Sequence, residues 1–190
     1  MRVDGVNRKR CQRWNIPWDA HELTFSCFQG RAFLSRDRTR KYFAEAVERA
    51  RARHPFDVWA YVIMPEHVHL LIWPREERYD VSGILWSIKQ SVARRAVGWL
   101  QRENPEGLTA LATGRKAQPY RFWQDGGGYD RNIRKARTLR LSIDYIHNNP
   151  VRRGLTDLAE EWPWSSCRDW LTDEAGLIRL DKDSCNNSLV

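Results

Sequence analysis

Two histidines separated by one residue lie inside a long apolar segment, and this pair constrains the fold more than any other feature of the chain. The segment runs from Val58 to Trp73 and holds His67 and His69 in its second half. Because side chains alternate across a β-strand, residues i and i+2 project from the same face. The two imidazoles therefore converge on one region, where they suit either a shared divalent cation or hydrogen bonds to neighbouring polar groups.

The charge of the chain favours nucleic acid as a partner. Its 190 residues, a length typical of one domain, carry 32 Lys and Arg against 24 Asp and Glu, a formal net charge of +8, and arginine dominates the basic set. Arginine forks match phosphate geometry, and some of the ten tryptophans suit stacking on single-stranded bases, although most such rings are expected in the core.

Cysteine spacing and hydropathy exclude several other classes. The four cysteines are scattered without a Cys-x-x-Cys pair, which argues against a zinc ribbon or a disulfide framework. No apolar stretch follows the N-terminus as in a signal peptide, and none reaches transmembrane length. These patterns predict a cytoplasmic protein without a membrane partner.

Apolar periodicity predicts the element order β-α-β-β-α-(β)-α. Alternation indicates strands over 22–28, 56–64 and 68–73, and helical spacing indicates helices over 37–53 and 81–101. A short edge strand is predicted over 120–123 and a third helix from 129 or 130 to 148. This order is typical of an α+β fold, a ferredoxin-like or RRM-like antiparallel sheet with helices on one face, here with an added C-terminal helix. We expect a basic leader over 1–20, one domain over 21–170, and a polar, flexible tail over 171–190.

The predicted third helix carries a second informative spacing. Tyr145 and Asn149 are four residues apart, so they share a helical face if the last turn holds. Tyrosine can act as a covalent nucleophile, but a phenol needs a base or a positive field to become reactive at neutral pH. A cation held by His67 and His69 would polarise a phosphodiester beside it. Together these residues predict phosphoryl transfer to Tyr145.

Several motifs in the same order resemble a known family. The segment Met64-Pro-Glu-His-Val-His-Leu-Leu71 is similar to the HUH motif, histidine-hydrophobic-histidine, of single-tyrosine nucleases and transposases. The string that marks REP-associated tyrosine transposases, an IS200-like group, is matched by FWQ at 122–124, YDRNIR at 129–134, DYIHNNPV at 144–151, GL at 154–155 and WPWSSC at 162–167. The resemblance spans roughly residues 20 to 170, which makes it far more specific than any one motif.

The resemblance implies a metal-dependent endonuclease and strand transferase that uses Mg²⁺ or Mn²⁺. His67 and His69 match the metal ligands, Tyr145 matches the nucleophile, and Asn149 matches the position that completes the metal site. The implied partner is single-stranded DNA with hairpins, formed by palindromic repeats. The implied reaction leaves a 5′-phosphotyrosine and a free 3′-hydroxyl, from which strands are rejoined without ATP.

Secondary candidates surround these positions. Family members usually carry one or two residues between the Gln and Tyr positions that match Gln124 and Tyr129, and this chain has four, Asp125-Gly-Gly-Gly128. This looser joint makes Tyr129 a rival nucleophile, ranked below Tyr145. Glu66 is either a turn residue or a support for the metal ligands, and His147 is either a surface residue or a DNA contact. Basic residues expected to bind the DNA backbone are Lys89, Arg131, Arg134, Arg152 and Arg153.

Two other functions stay open on the sequence. A non-catalytic DNA-binding regulator would keep the fold and the basic surface, and a hydrolase of small phosphoesters would keep the histidines but leave the arginine surplus unexplained. The oligomeric state, monomer or homodimer, is also open. Within the leader, Trp14 and Trp18 are candidates to grip the foot of a hairpin.

Overall fold

The computed structural model describes residues 13–126, 128–172 and 174–188, so most of the predicted leader, residues 1–12, lies outside the described residues. Four strands and six helices, together with short 3-10 turns, make up the described chain. The strands are β1 (Ala20–Ser26), β2 (Phe56–Ile63), β3 (His67–Pro74) and β4 (Tyr129–Ile133). The helices are α1 (Asp37–Arg51), α2 (Val81–Glu103), α3 (Ala136–His147), α4 (Asn149–Arg152), α5 (Cys167–Leu171) and α6 (Lys182–Ser188).

The four strands form one antiparallel sheet in the order β2-β3-β1-β4, which confirms the predicted α+β, ferredoxin-like arrangement. Alternate side chains of β1 and β3, such as Phe25 and Leu70, point into a core shared with α1 and α2. The remaining side chains, such as Leu71, face the opposite side. His67 and His69 belong to this second face because they share the parity of Leu71.

Helix α3 covers the second face of the sheet. Its apolar residues Leu139, Ile143 and Ile146 recur at three- and four-residue spacing and pack in one cluster with Leu71. The two faces of the sheet are therefore covered by different helices, α1 and α2 on one side and α3 on the other. This arrangement brings the C-terminal end of α3 next to the histidines at the start of β3.

The segment around Trp162–Cys167 closes the outer edge of β2. The Ile63 amide donates to the Trp164 carbonyl, the Ser166 amide donates to the Tyr61 carbonyl, and the Trp162 indole N–H donates to the Ile63 carbonyl. An open strand edge is a template for unwanted pairing, and this segment covers it. Trp162 thus serves the fold, as expected for most of the tryptophans.

Two predicted elements between residues 120 and 148 were wrong. Residues 120–123 make only isolated bridges, from Tyr120 to Ala112 and from Trp123 to Cys27, and the edge strand is β4 instead. The third helix begins at Ala136, not at 129 or 130. Five residues of β4 pair with β1, and this long-range pairing supplies hydrogen bonds that outweigh the local helical pattern.

The polar tail packs on the domain over much of its length. Ile178 and Cys185 are fully buried, and the Asp181 amide donates to the Val58 carbonyl of β2. The Trp59 indole N–H donates to Ser184 Oγ on α6. These contacts replace the expected flexible tail with an anchored one over these residues. Among the described residues, no helix is long and apolar enough to cross a membrane.

Candidate active site

The two histidines meet where β3 begins. His67 Nε2 and His69 Nε2 lie 3.2 Å apart, and the planes of the two rings cross at 83°. On the neighbouring strand β1, Ser26 pairs with His67 and Thr24 pairs with His69. The strand period therefore produces the convergence that the His-x-His spacing predicts, with one nitrogen of each ring directed to a common point.

The other nitrogen of each ring is held by a hydrogen bond. His67 Nδ1 lies 3.0 Å from Glu66 Oε1, and His69 Nδ1 lies 2.8 Å from Thr24 Oγ1. A carboxylate only accepts hydrogen bonds, so the neutral His67 ring carries its proton on Nδ1 and its lone pair on Nε2. Such outer partners orient metal-binding imidazoles and increase their basicity.

Burial keeps both rings uncharged near neutral pH. Burial lowers the pKa of His67, although Glu66 opposes the shift. Burial, with a smaller contribution from His67, lowers the pKa of His69 to about 3. Neutral imidazole is the form that binds metals, so little protonation competes with a cation at pH 7.

Helices α3 and α4 bring Tyr145 and Asn149 to the same place. The rings of Tyr145 and His69 meet edge to face with centroids 5.4 Å apart, and Asn149 Nδ2 lies 3.1 Å from His69 Nε2. Asn149 is buried, whereas Tyr145 is 39% exposed. Helical geometry continues past His147, since the Asn148 amide donates to the Asp144 carbonyl, and this keeps the two side chains on one face as predicted.

The predicted DNA-binding arginines differ in their surroundings. The guanidinium of Arg152 lies over the Tyr145 ring, 5.0 Å from its centroid. Three others pair with carboxylates: Arg131 with Glu22 at 2.6 Å, Arg134 with Asp19 at 2.8 Å, and Arg153 with Glu66 at 2.8 Å. Each keeps part of its guanidinium exposed, so these ion pairs fix where the positive charges sit around the site.

The remaining candidates have three different environments. Glu66 contacts both His67 and Arg153. Tyr129 is half exposed at the start of β4 and lines the same cavity as Tyr145. His147 points away and is buried, with Nε2 2.8 Å from Ser166 Oγ, which makes it an anchor for the edge segment and not a surface residue.

Lys89 lies on α2, on the opposite face of the sheet. Its side chain is half-buried above the Phe25 ring, and burial, with a smaller contribution from Arg13, lowers its pKa. No carboxylate of the described residues lies within ion-pair distance of its ammonium group.

A cavity of about 530 Å³ opens beside His69. Its lining includes Tyr145 and Tyr129, together with His69, Thr24 and Leu141. Thr24 is a residue that the sequence analysis missed, although it is a polar position on the sheet face opposite Leu23 and Phe25. The buried Glu22 is a second residue that the sequence did not reveal, because its partner Arg131 is 109 residues away.

The donor set fits a divalent cation of the kind that the family resemblance implies. Two neutral imidazoles and the carboxamide of Asn149 converge, and an oxygen in place of Nδ2 needs only a half-turn of that amide. Among the described residues, no three His, Cys, Asp or Glu side chains are arranged as a metal site. Two imidazoles and one amide would leave coordination positions for phosphate oxygens and water.

Comparison with known proteins points to one family. A family model described as "Transposase IS200 like" matches residues 23–149. A REP-associated tyrosine transposase of Escherichia coli is 27% identical over 121 residues, which cover 64% of this chain and 60% of that protein. A Haemophilus influenzae protein assigned to the same class is 26% identical over 137 residues, covering 68% of this chain and 73% of that protein.

One solved structure shows the same fold. It is described as a REP-associated tyrosine transposase bound to a REP hairpin, and it matches with a TM-score of 0.67 and 22% identity over 89% of each chain.

Proposed function

Because the chain belongs to the IS200-like transposase family, a family of DNA-processing enzymes, we propose that it cleaves and rejoins single-stranded DNA through a covalent link to Tyr145. The observation that carries the proposal is the contact between Tyr145 and His69, which places an exposed phenol beside two uncharged imidazoles. The substrate is hairpin-forming DNA, in line with the relative whose structure is described as bound to a REP hairpin.

The chain supplies a nucleophile and a positive field in one place. Tyr145 Oη attacks the scissile phosphorus and forms a phosphotyrosine, while the bond from phosphorus to the 3′-oxygen breaks. The phenolic proton passes to solvent, and the departing 3′-oxygen takes up a proton to become a hydroxyl. Arg152 lies over the Tyr145 ring, so its charge stabilises the phenolate and the phosphate oxygens as negative charge develops.

His67, His69 and Asn149 would hold the divalent cation, Mg²⁺ or Mn²⁺. Such an ion, when bound, polarises the phosphodiester and stabilises charge on its oxygens. The residues around it set the geometry: Thr24 and Glu66 fix the ring orientations of the two histidines, and Arg153 holds Glu66 in place.

The reverse reaction explains strand transfer without an energy source. A 3′-hydroxyl attacks the phosphotyrosine, a new phosphodiester forms, and Tyr145 leaves as a phenol after taking up a proton. The phosphoester bond to Tyr145 conserves the energy of the broken phosphodiester. This chemistry requires Tyr145 to stay reachable, and its 39% exposure at the rim of the 530 Å³ cavity allows that.

Covalent capture of DNA tests the proposal. The protein is incubated with Mn²⁺ and labelled single-stranded hairpins from palindromic repeats near its own gene, then run on a denaturing gel. We expect a shifted band that Tyr145→Phe abolishes and Tyr129→Phe retains. A band lost only in Tyr129→Phe would assign the nucleophile to β4, and tight binding without any band would favour the DNA-binding regulator.

A further inference from the structure

A groove on α2 continues from the cavity beside Tyr145 around the edge of the sheet. Thr24 and Tyr129 line that cavity and also a smaller one of about 240 Å³. Lys89 and Gln124 line the smaller cavity and also a groove of about 750 Å³ between α2 and the segment 118–126. The three spaces follow one another, so a flexible strand can run from the first to the third.

One face of α2 along the groove carries an exposed aromatic ring, an amide and a basic group. Trp86, Gln90 and Arg94 are spaced by four residues on α2, so they stand in a row about 12 Å long on one helix face. Trp86 is 64% exposed, so its ring is open to a partner. It does not belong to either core cluster of the described residues.

The charge of the groove complements a polyanion. Lys89, Arg94 and Arg121 line it together with Arg13, and Asp125 is the acidic residue among the lining. Arg121 pairs with Asp125, while no described carboxylate lies within ion-pair distance of Lys89 or Arg94. The phosphates of a nucleic-acid backbone are complementary in charge to two such solvent-accessible cations.

We infer that this groove binds the unpaired strand that leads to or from the scissile phosphate, with Trp86 stacking on a base and Lys89 and Arg94 contacting phosphates. Aromatic stacking tolerates any base, and basic groups beside it follow the backbone, which is the pattern of single-strand binding. The inference rests on the proposed function, since its occupant is the strand that Tyr145 cleaves. It adds a binding surface on the face of the sheet opposite the histidines.

Binding of a simple single strand tests the inference without the cleavage reaction. The probe is fluorescein-labelled (dT)₁₂, and its anisotropy is titrated with the full-length protein at low salt. Loss of one base stack corresponds to a drop in affinity of about 5- to 150-fold, and we expect a drop in that range for Trp86→Ala. Trp86→Phe should retain most of the affinity because it keeps an aromatic face.

Two further variants separate stacking, charge and nonspecific effects. Arg94→Ala should lower the slope of log affinity against log salt by about 1, as expected for one lost phosphate contact. Leu171→Ala removes a comparably exposed apolar side chain on α5, outside the groove, and should bind (dT)₁₂ like the wild type. Binding by Trp86→Ala within twofold of the wild type would overturn the inference.

The outcome is distinguishable from failure of the proposed function. Covalent capture depends on Tyr145 and is read on a denaturing gel, whereas (dT)₁₂ affinity depends on the groove and is read at equilibrium. A normal covalent band together with Trp86-independent (dT)₁₂ binding would therefore reject strand binding in the groove and leave the proposed cleavage reaction standing.

Discussion

Replacing Gly128 by alanine should break the junction between β1 and β4. Gly128 has a φ of +70°, and a Cβ built there would lie 2.1 Å from the Thr24 carbonyl oxygen. Gly126 is the matched control, because its φ is +93° but a Cβ there would meet nothing within 4 Å. Both alanines suffer the left-handed backbone conformation, and only one suffers the contact with β1.

The magnitudes follow from these two contributions. A left-handed conformation costs an alanine about 1–2 kcal/mol, and this applies to both variants. Forcing a methyl group against a packed backbone adds about 1–3 kcal/mol, and only Gly128→Ala incurs this. We therefore expect the free energy of unfolding to fall by about 2–5 kcal/mol in Gly128→Ala and by about 1–2 kcal/mol in Gly126→Ala.

Urea unfolding followed by tryptophan fluorescence measures the difference between the two variants. A second readout is covalent capture, because the side chain of Thr24 binds His69 and its backbone receives the clash. We expect Gly128→Ala to lose more capture activity than Gly126→Ala under conditions where both are folded. Equal stabilities for the two alanine variants would refute the reasoning, since it would mean that β4 does not approach Thr24 this closely.

Three further predictions concern the site and its support. Thr24→Val should weaken Mn²⁺ binding by about 10- to 100-fold in calorimetric titration, because His69 loses the partner of its Nδ1, and an unchanged affinity would contradict that role. Arg152→Gln should slow covalent capture by about 10-fold at saturating DNA, which corresponds to a loss of about 1.4 kcal/mol of transition-state stabilisation. An unchanged rate would show that Arg152 does not stabilise the transition state. Burial lowers the pKa of His147 to about 4, below its ordinary 6.5, so the unfolded chain binds the extra proton first and stability falls as the pH drops from about 6.5 to 4. In His147→Gln, the decrease in the free energy of unfolding between pH 6.5 and about 4 should be smaller by about 3 kcal/mol, as measured by urea titrations at each pH. Parallel pH profiles for the variant and the wild type would exclude His147 as the cause of the decrease.

The local parts of the site were predictable from the sequence. The alternation of a strand places His67 and His69 on one face, and the helical period places Tyr145 near Asn149, since both rules depend only on short-range geometry. The structure brings these four side chains together. Their roles in metal binding and catalysis stay predictions, for which the covalent capture and Mn²⁺ experiments are the tests.

The parts that depend on distant partners were not predictable in the same way. Residues 129–133 carry a pattern that is compatible with a helix start, and pairing with β1 makes them a strand. Arg131 and Arg153 were expected to bind DNA directly, and each also has a carboxylate partner, Glu22 or Glu66, far away in the chain. Such pairs form only when the sheet and α3 have assembled, so no spacing rule reveals them.

The sequence by itself determined the fold class, the histidine pair, the spacing of Tyr145 and Asn149 and the family resemblance, because periodicity and motif order are properties of neighbouring residues. The tertiary structure decided which groups surround them. It placed Thr24 behind His69, buried His147 against Ser166 and led a basic, aromatic groove around the sheet edge to the cavity beside Tyr145. The physical reason is that these contacts join residues 19 or more positions apart. Only the pairing of distant strands in the sheet and the packing of helices on its two faces bring such residues together.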